Sequence, residues 1–119
     1  YAHEIVNCVP GAAQRYLGLL RDEGIPAHAK FGFELVAAWE TAMRNDSECL
    51  VLWALPSWEA WAEFEAAQRS DAGLQRWRAK LAGVAIDWNR FLMADAPLSP
   101  LRIGRQPAVG DRRPLAEIP

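Results

Sequence analysis

The chain has 119 residues, 51% of them hydrophobic, and a formal net charge of −2. That length fits one domain with a single core, and the interspersed acidic and basic residues argue against a nucleic-acid or anionic-lipid binder. No apolar run reaches the roughly 18 residues needed to cross a bilayer, and no signal-peptide pattern opens the sequence.

The first half of the chain predicts a strand, a helix and a second strand. Residues 1–9 are rich in β-formers and stop at Pro10-Gly11. Apolar residues at helical spacing predict a helix over 11–23, which Gly24 and the following Ile25-Pro26 are expected to end. Residues 27–30 are then a connection, and 31–41 hold the second strand.

The second half begins with a turn at 43–47 and the apolar strand 49–55, Cys-Leu-Val-Leu-Trp-Ala-Leu. Ser57 is expected to cap a helix that breaks near 71–73 and continues as a further helical piece to Gly83. The last strand covers 86–93. We expect 1–94 to form the domain and the Pro-rich residues 95–119 to form an extended C-terminal arm.

The element order β-α-β-β-α-β predicts an α+β, ferredoxin-like sandwich. Right-handed crossovers place both helices on one face of the four-stranded sheet. The run 49–55 is nevertheless apolar on both of its faces, so the uncovered face would be a large exposed apolar patch. A second copy packed sheet to sheet solves this, which predicts a homodimeric barrel. The arm either wraps the partner chain or is a loosely docked tail.

Cys8 and Cys49 lie in apolar surroundings, which favours free buried thiols in a reducing compartment such as the cytoplasm. No Cys-x-x-Cys, His-x-x-x-His or Cys/His cluster is present, so we expect no metal site. Phosphate-loop, dinucleotide-binding and nucleophile-elbow patterns are also missing, and we expect no cofactor.

An ordered set of short segments resembles the NIPSNAP family, over roughly residues 1–93. These segments are Val9-Pro10-Gly11, Arg15-Tyr16-Leu17, residues 35–41, Leu52-Trp53-Ala54, Asp71 with Trp77 downstream, and residues 89–92. The resemblance implies a dimeric α+β barrel, a superfamily that also contains cofactor-free monooxygenases and haem-degrading enzymes. Family members often carry a histidine two residues before the third-strand tryptophan, where this chain has Val51.

Glu4 and Arg90 lie on the first and last strands, which are neighbours in this topology. They form either a surface salt bridge or a buried pair in which Arg90 grips a carboxylate or enolate. Aromatic residues on the strands offer walls for a flat apolar ligand, with core packing as the alternative. The predicted ligand-binding residues are Glu4, Trp39, Val51, Trp53, Trp88 and Arg90.

His3 on the first strand and His28 in the predicted connection have no recognisable catalytic partner, and both are expected at the surface. Two functions remain open. The first is a homodimeric barrel protein that binds a small apolar or aromatic molecule in the barrel. The second is a cofactor-independent monooxygenase or isomerase acting on an aromatic or polyketide-like substrate.

Overall fold

The structure is a computed structural model that describes residues 1–43, 46–96, 98 and 99. Most of the predicted arm at 95–119, and two residues of the predicted turn at 43–47, lie outside these ranges. The strands are β1 (Ala2–Cys8), β2 (Glu34–Glu40), β3 (Glu48–Ala54) and β4 (Ala85–Leu92). The helices are α1 (Ala13–Leu19), a π-helical turn (Leu20–Gly24), α2 (Ile25–Ala29), α3 (Trp58–Ala67) and α4 (Ala72–Leu81).

The four strands form one antiparallel sheet in the order β2-β3-β1-β4. With the helices inserted after β1 and after β3, this is the predicted ferredoxin-like α+β fold. The apolar strand β3 lies inside the sheet, between β2 and β1. This position agrees with its composition, because a strand that is apolar on both faces is typical of the buried part of a sheet. Among the described residues, no helix is long and apolar enough to span a membrane.

One side of the sheet, the helix-facing side, carries the core. Alternate residues of β1 and β3 point to it and are buried, namely Ala2, Glu4, Val6, Cys8, Cys49, Val51 and Trp53. Tyr16, Leu20, Phe64, Leu74, Trp77 and Leu81 cover them from the helix layer. Side chains of adjacent strand residues point to opposite faces, so the register fixes which residues share this side.

The other side, called here the open face, is not covered by any helix of the described residues. The register aligns Trp39, Leu50, Ile5 and Asn89 in one row across the four strands. Ala37, Leu52, His3 and Phe91 form the next row. Trp39 and Phe91 are 55% and 52% exposed, which leaves apolar surface uncovered on this face.

The predicted end of the first helix at Glu23 is wrong. The chain stays helical through a π-helical turn and α2, as far as Ala29. Pro26 does not stop the helix; it directly follows the π-helical turn, at one of the first positions of α2. Residues 27–30, predicted as a connection, therefore lie largely within a helix over the sheet.

The predicted start of the second helix and the predicted break near 71–73 are both confirmed. Ser57 Oγ accepts a hydrogen bond from Ala60 N at 3.1 Å, which caps α3. Asp71 Oδ2 accepts one from Leu74 N at 2.9 Å and so caps α4. The same carboxylate pairs with Lys30 Nζ at 2.7 Å, which ties α4 to the end of α2.

Candidate functional site

Glu4 and Arg90 form a buried ion pair on the helix-facing side of the sheet. They are directly opposite each other in the β1–β4 register. Arg90 donates from Nε to Glu4 Oε1 at 2.8 Å and donates to the same oxygen from Nη2. The side chains of Arg90 and Glu4 are 9% and 7% exposed, so of the two alternatives raised by the sequence, the structure has the buried pair. Either charge alone at this depth would cost several kcal/mol.

Trp53 completes the environment of the carboxylate. Its indole Nε1 donates to Glu4 Oε1 at 2.9 Å. This bond satisfies the one polar atom of a tryptophan that is otherwise fully buried in the core. Val51 lies opposite Glu4 in the β1–β3 register and is also fully buried, so an apolar side chain fills the place beside the carboxylate.

His28 reaches the same pair from α2 and is buried, which contradicts its predicted place at the surface. Its Nδ1 lies 2.7 Å from the carbonyl oxygen of Gly24, so Nδ1–H donates and Nε2 is left as an acceptor. Arg90 Nη2 lies 3.3 Å from that Nε2. The ring stacks on Trp53, with centroids 4.5 Å apart and planes at 10°.

The imidazole of His28 is neutral at pH 7. Burial lowers its pKa to about 4 because the charged form loses its hydration. The positive charge of Arg90 lowers the pKa further, and the bond to the Gly24 carbonyl opposes both effects. We call Glu4, His28, Trp53 and Arg90 the Glu4 cluster; its net charge is zero.

Aromatic rings surround the guanidinium of Arg90. Its Cζ lies 5.6 Å from the ring centroid of Trp61, 5.0 Å from that of Phe64 and 5.1 Å from that of Trp88. These distances suit cation–π attraction, which is stronger where water is excluded. The walls of the cluster are therefore flat and apolar, with one cation at their centre.

A cavity of about 20 Å³ adjoins the Glu4 cluster, which is room for about one water molecule. Glu4, His28 and Arg90 are among its lining residues, as are the more exposed Arg78 and Trp88. These last two residues also line two neighbouring surface hollows, of about 440 and 460 Å³. Trp88 is 40% exposed on the edge strand β4, so only side chains separate the cluster from the surface.

Tyr16 is a second polar group in this interior. It is fully buried in α1, and its hydroxyl is the one enclosed side-chain polar atom of the described residues without a hydrogen bond. Burial raises its pKa, and the negative charge of Glu4 adds to the rise. The phenol is therefore protonated at every physiological pH.

The cysteines do not contribute reactive chemistry. Cys8 and Cys49 are free and buried on the helix-facing side of the sheet. Burial raises the pKa of Cys49 to about 12, which keeps it a thiol and removes its nucleophilicity near pH 7. Within the described ranges, no three His, Cys, Asp or Glu side chains group closely enough to hold a metal ion.

The fold brings together five of the six predicted site residues. Glu4, Val51, Trp53, Trp88 and Arg90 all lie on the helix-facing side of the sheet. Trp39 is apart from them, because it is opposite Leu50 on the open face. His3 also lies on the open face, where its ring stacks on Phe91 with centroids 6.3 Å apart.

Sequence reasoning missed His28, Trp61 and Phe64 as members of the site. His28 was missed because the helix was expected to end at Gly24. The signal was present: Leu20, Gly24 and His28 recur every four residues, which continues the buried helical stripe through Pro26. Trp61 and Phe64 were assigned only to a packing stripe, and nothing in their spacing reveals a cation beneath them.

No family model and no curated protein matches the chain. Solved structures do match it. A NIPSNAP family protein from Agrobacterium tumefaciens is 25% identical with a TM-score of 0.71, over 85% of this chain and 96% of that one. A second from the same organism, described as of unknown function, is 25% identical with a TM-score of 0.71, over 84% and 90%.

A NIPSNAP domain protein from Burkholderia xenovorans shares the fold at 14% identity, with a TM-score of 0.70 over 83% of this chain and 96% of that one. These matches agree with the resemblance of the ordered segments between Val9 and Leu92. By fold and by sequence, this chain is similar to these NIPSNAP family proteins, as the resemblance of its ordered segments predicted.

Proposed function

We propose that this NIPSNAP-like protein is a homodimer that binds a small apolar or aromatic molecule between its sheet and its helix layer. The observation that carries the proposal is the Glu4 cluster. It is a buried ion pair with aromatic walls, and two residues of the adjoining cavity, Arg78 and Trp88, also line two surface hollows. Binding of this kind requires no cofactor.

Structural stability alone is a poor explanation for the cluster. Replacing a buried ion pair with apolar residues of similar volume is often neutral or stabilising, so such a pair is weak evidence for a purely structural role. A buried histidine with a strongly lowered pKa beside a charged partner in a cleft is typical of a binding or catalytic site. Apolar walls with a few convergent polar groups are typical of ligand pockets.

Entry of a ligand requires the outer side chains to move. The cavity itself holds about one water, while the two hollows outside it are each of ligand size. Arg78 is exposed on α4 and Trp88 is partly exposed on β4, so rotation of these side chains would join the cavity to the hollows. We call Arg78 and Trp88 the entrance.

A thermal-shift screen against planar aromatic compounds tests this proposal, followed by titration of the hits. Trp88→Ala removes one side of the entrance and should change the affinity of a true ligand by several-fold or more. Trp58→Ala is the matched control, because Trp58 is an exposed tryptophan that lines a different hollow. Equal effects of the two substitutions, or the absence of any stabilising compound, would count against the proposed site.

The open face supports the homodimer. It exposes Trp39 and Phe91 and has Leu50 and Ile5 between them, with no element of the described residues packed over it. A second sheet would cover these side chains and leave the entrance free, because the entrance belongs to the helix-facing side. The free thiols Cys8 and Cys49 agree with a reducing location, for which we propose the cytoplasm.

A monooxygenase or isomerase remains the second candidate because a neutral imidazole and a guanidinium border the same cavity. Both nitrogens of His28 are already engaged, and a pKa of about 4 makes it a weak proton acceptor near pH 7. Binding is therefore the better supported function. Oxygen uptake, or a spectral change of a hit compound in the presence of the protein, would reverse this order.

A further inference from the structure

The hydrogen bonds of the Glu4 cluster leave defined capacities unused. Arg90 has five N–H donors. Its Nε–H and one Nη2–H go to Glu4 Oε1, and Nη2 also lies within reach of His28 Nε2. The two hydrogens on Nη1 have no hydrogen-bond acceptor among the described residues.

Glu4 is used unevenly in the same way. Its Oε1 accepts from Trp53 Nε1 and twice from Arg90. Its Oε2 accepts from none of the described residues, although a carboxylate has about four acceptor positions. His28 has nothing left to offer, since Nδ1 donates to Gly24 and Nε2 faces Arg90.

The unused atoms of Glu4 and Arg90 are not fully enclosed. Tyr16 Oη is the one fully enclosed polar side-chain atom without a partner in the part of the chain that the structure describes. Glu4 Oε2 and Arg90 Nη1 therefore keep some access to space that water or a ligand can occupy. Both residues line the cavity, so it adjoins side chains that carry one free acceptor and one free donor group.

The charge balance decides between an anionic and a neutral ligand. The cluster already contains one carboxylate and one guanidinium, and its imidazole is uncharged. An added carboxylate would lie close to Glu4 in a site with little water, where repulsion between like charges is strong. A neutral molecule that donates to Oε2 and accepts from Nη1 adds no charge and fills both positions.

We propose that the ligand is a neutral planar molecule with a hydrogen-bond donor and an acceptor on neighbouring atoms, such as a cyclic amide or a hydroxy-enone. The aromatic rings of Trp61, Phe64 and Trp88 match the flat body of such a molecule. The inference rests on the binding function proposed above and narrows its ligand class. It also replaces the expectation, drawn from sequence, that Arg90 grips a carboxylate or enolate.

Four bicyclic probes of similar size test the inference on the unaltered protein. They are 2-quinolone, which has both groups; N-methyl-2-quinolone, which lacks the donor; quinoline-2-carboxylate, which is anionic; and naphthalene, which is apolar. Titration is followed by NMR of the Trp53 indole N–H, because this group touches Glu4. We expect 2-quinolone to bind roughly 10-fold or more tightly than each of the others, since an unpaired buried polar group is costly.

The outcomes separate the two levels of the proposal. If naphthalene or N-methyl-2-quinolone binds as well as 2-quinolone, or the carboxylate binds best, the donor–acceptor inference is wrong while small-molecule binding stands. If none of the four probes shifts the Trp53 signal at millimolar concentration, the binding site itself is wrong. Glu4→Gln, which removes the anionic acceptor, should reduce the preference for 2-quinolone over its N-methyl form.

Discussion

At the scale of single residues, the Glu4 cluster is a set of polar groups that satisfy one another inside an apolar core. Glu4 Oε1 receives three N–H donors from Trp53 and Arg90, and both members of the ion pair are almost fully enclosed. Charge-assisted bonds of this type are stronger than neutral ones. The contribution of the pair to the stability of the protein therefore depends on the presence of both Glu4 and Arg90.

Glu4→Gln tests this dependence. It keeps the shape of the side chain but leaves the guanidinium of Arg90 buried without a counter-charge, so we expect a loss of about 3–5 kcal/mol in the free energy of unfolding. Chemical denaturation at pH 7 measures it. Asp22→Asn is the control, because its pair with Arg21 is exposed to solvent and should leave the midpoint unchanged. If Glu4→Gln and the unaltered protein have the same midpoint, the Glu4–Arg90 pair is not buried in solution.

His28 gives the protein a specific pH dependence. Its folded-state pKa of about 4 lies below the value of 6.5 expected when unfolded, so the unfolded chain binds the extra proton first as the pH falls. The titration of His28 therefore leaves the free energy of unfolding unchanged above pH 6.5 and lowers it as the pH falls from 6.5 to 4. The full loss from this one group is roughly 3 kcal/mol.

Denaturation of the unaltered protein and of His28→Gln at several pH values measures this effect. The difference between the two stabilities cancels the other titrating groups. We expect the unaltered protein to lose stability relative to His28→Gln as the pH falls from 6.5 to 4. Two parallel profiles over that range would mean that His28 is not buried as a neutral ring.

At the scale of elements, the helical segment after β1 is built to bring His28 over the sheet. The π-helical turn (Leu20–Gly24) joins α1 to α2 in one continuous helical segment. Such turns are rare, and those that occur are frequently found at functional sites. Gly24 has two roles in it. Its carbonyl fixes the tautomer of His28, and its missing side chain lets Trp77 approach closely.

Gly24→Ala should destabilise the protein even though alanine is the better helix former. A Cβ at this position would lie 2.9 Å from both Leu20 Cδ1 and Trp77 Cη2, and Trp77 is packed in the core. We expect a loss of about 1–3 kcal/mol, as is usual for overpacking. Urea denaturation checks the result, and NMR of the His28 ring checks whether its tautomer is kept.

Gly18→Ala is the matched control on the same helical segment. Its Cβ would meet nothing within 4 Å, so the substitution should raise stability by about 0.5–1 kcal/mol through the helix preference alone. If both substitutions stabilise the protein, the close contact between Gly24 and Trp77 does not exist in solution.

At the scale of the whole molecule, the two sides of the sheet have separate tasks. The helix-facing side contains the core and the Glu4 cluster, whereas the open face exposes large apolar side chains. Soluble monomers rarely expose extended apolar patches, and such patches usually mark interfaces. The proposed dimer follows from this division of the sheet.

We expect the protein to sediment at twice its chain mass of 13.3 kDa at micromolar concentration. Phe91→Lys places a charge within the proposed interface and should yield monomers, because a buried unpaired charge opposes association. Trp58→Lys changes an equally exposed aromatic residue in the helix layer and should leave the dimer intact. If the unaltered protein sediments as a monomer, the proposed dimer interface does not form.

The local sequence pattern determines much of the fold. Seven consecutive apolar residues indicate that the strand 49–55 is buried, and Ser57 marks a helix start by side-chain chemistry that acts over three residues. The order of elements then limits the topology to a ferredoxin-like sandwich, because crossover handedness leaves few alternatives. Glu4 and Arg90 could be named as neighbours from that topology.

Tertiary structure alone decided which faces these residues share. A one-residue change in register reverses every side chain of a strand, so no local pattern could separate Trp39 from Trp53 and Trp88. The burial of the Glu4–Arg90 pair depends on rings from α3 and β4, which are far apart in sequence. His28 lies in the site because the helix continues past Pro26 and packs against the sheet, where His28 stacks on Trp53. That contact joins residues far apart in sequence, so no local pattern reveals it.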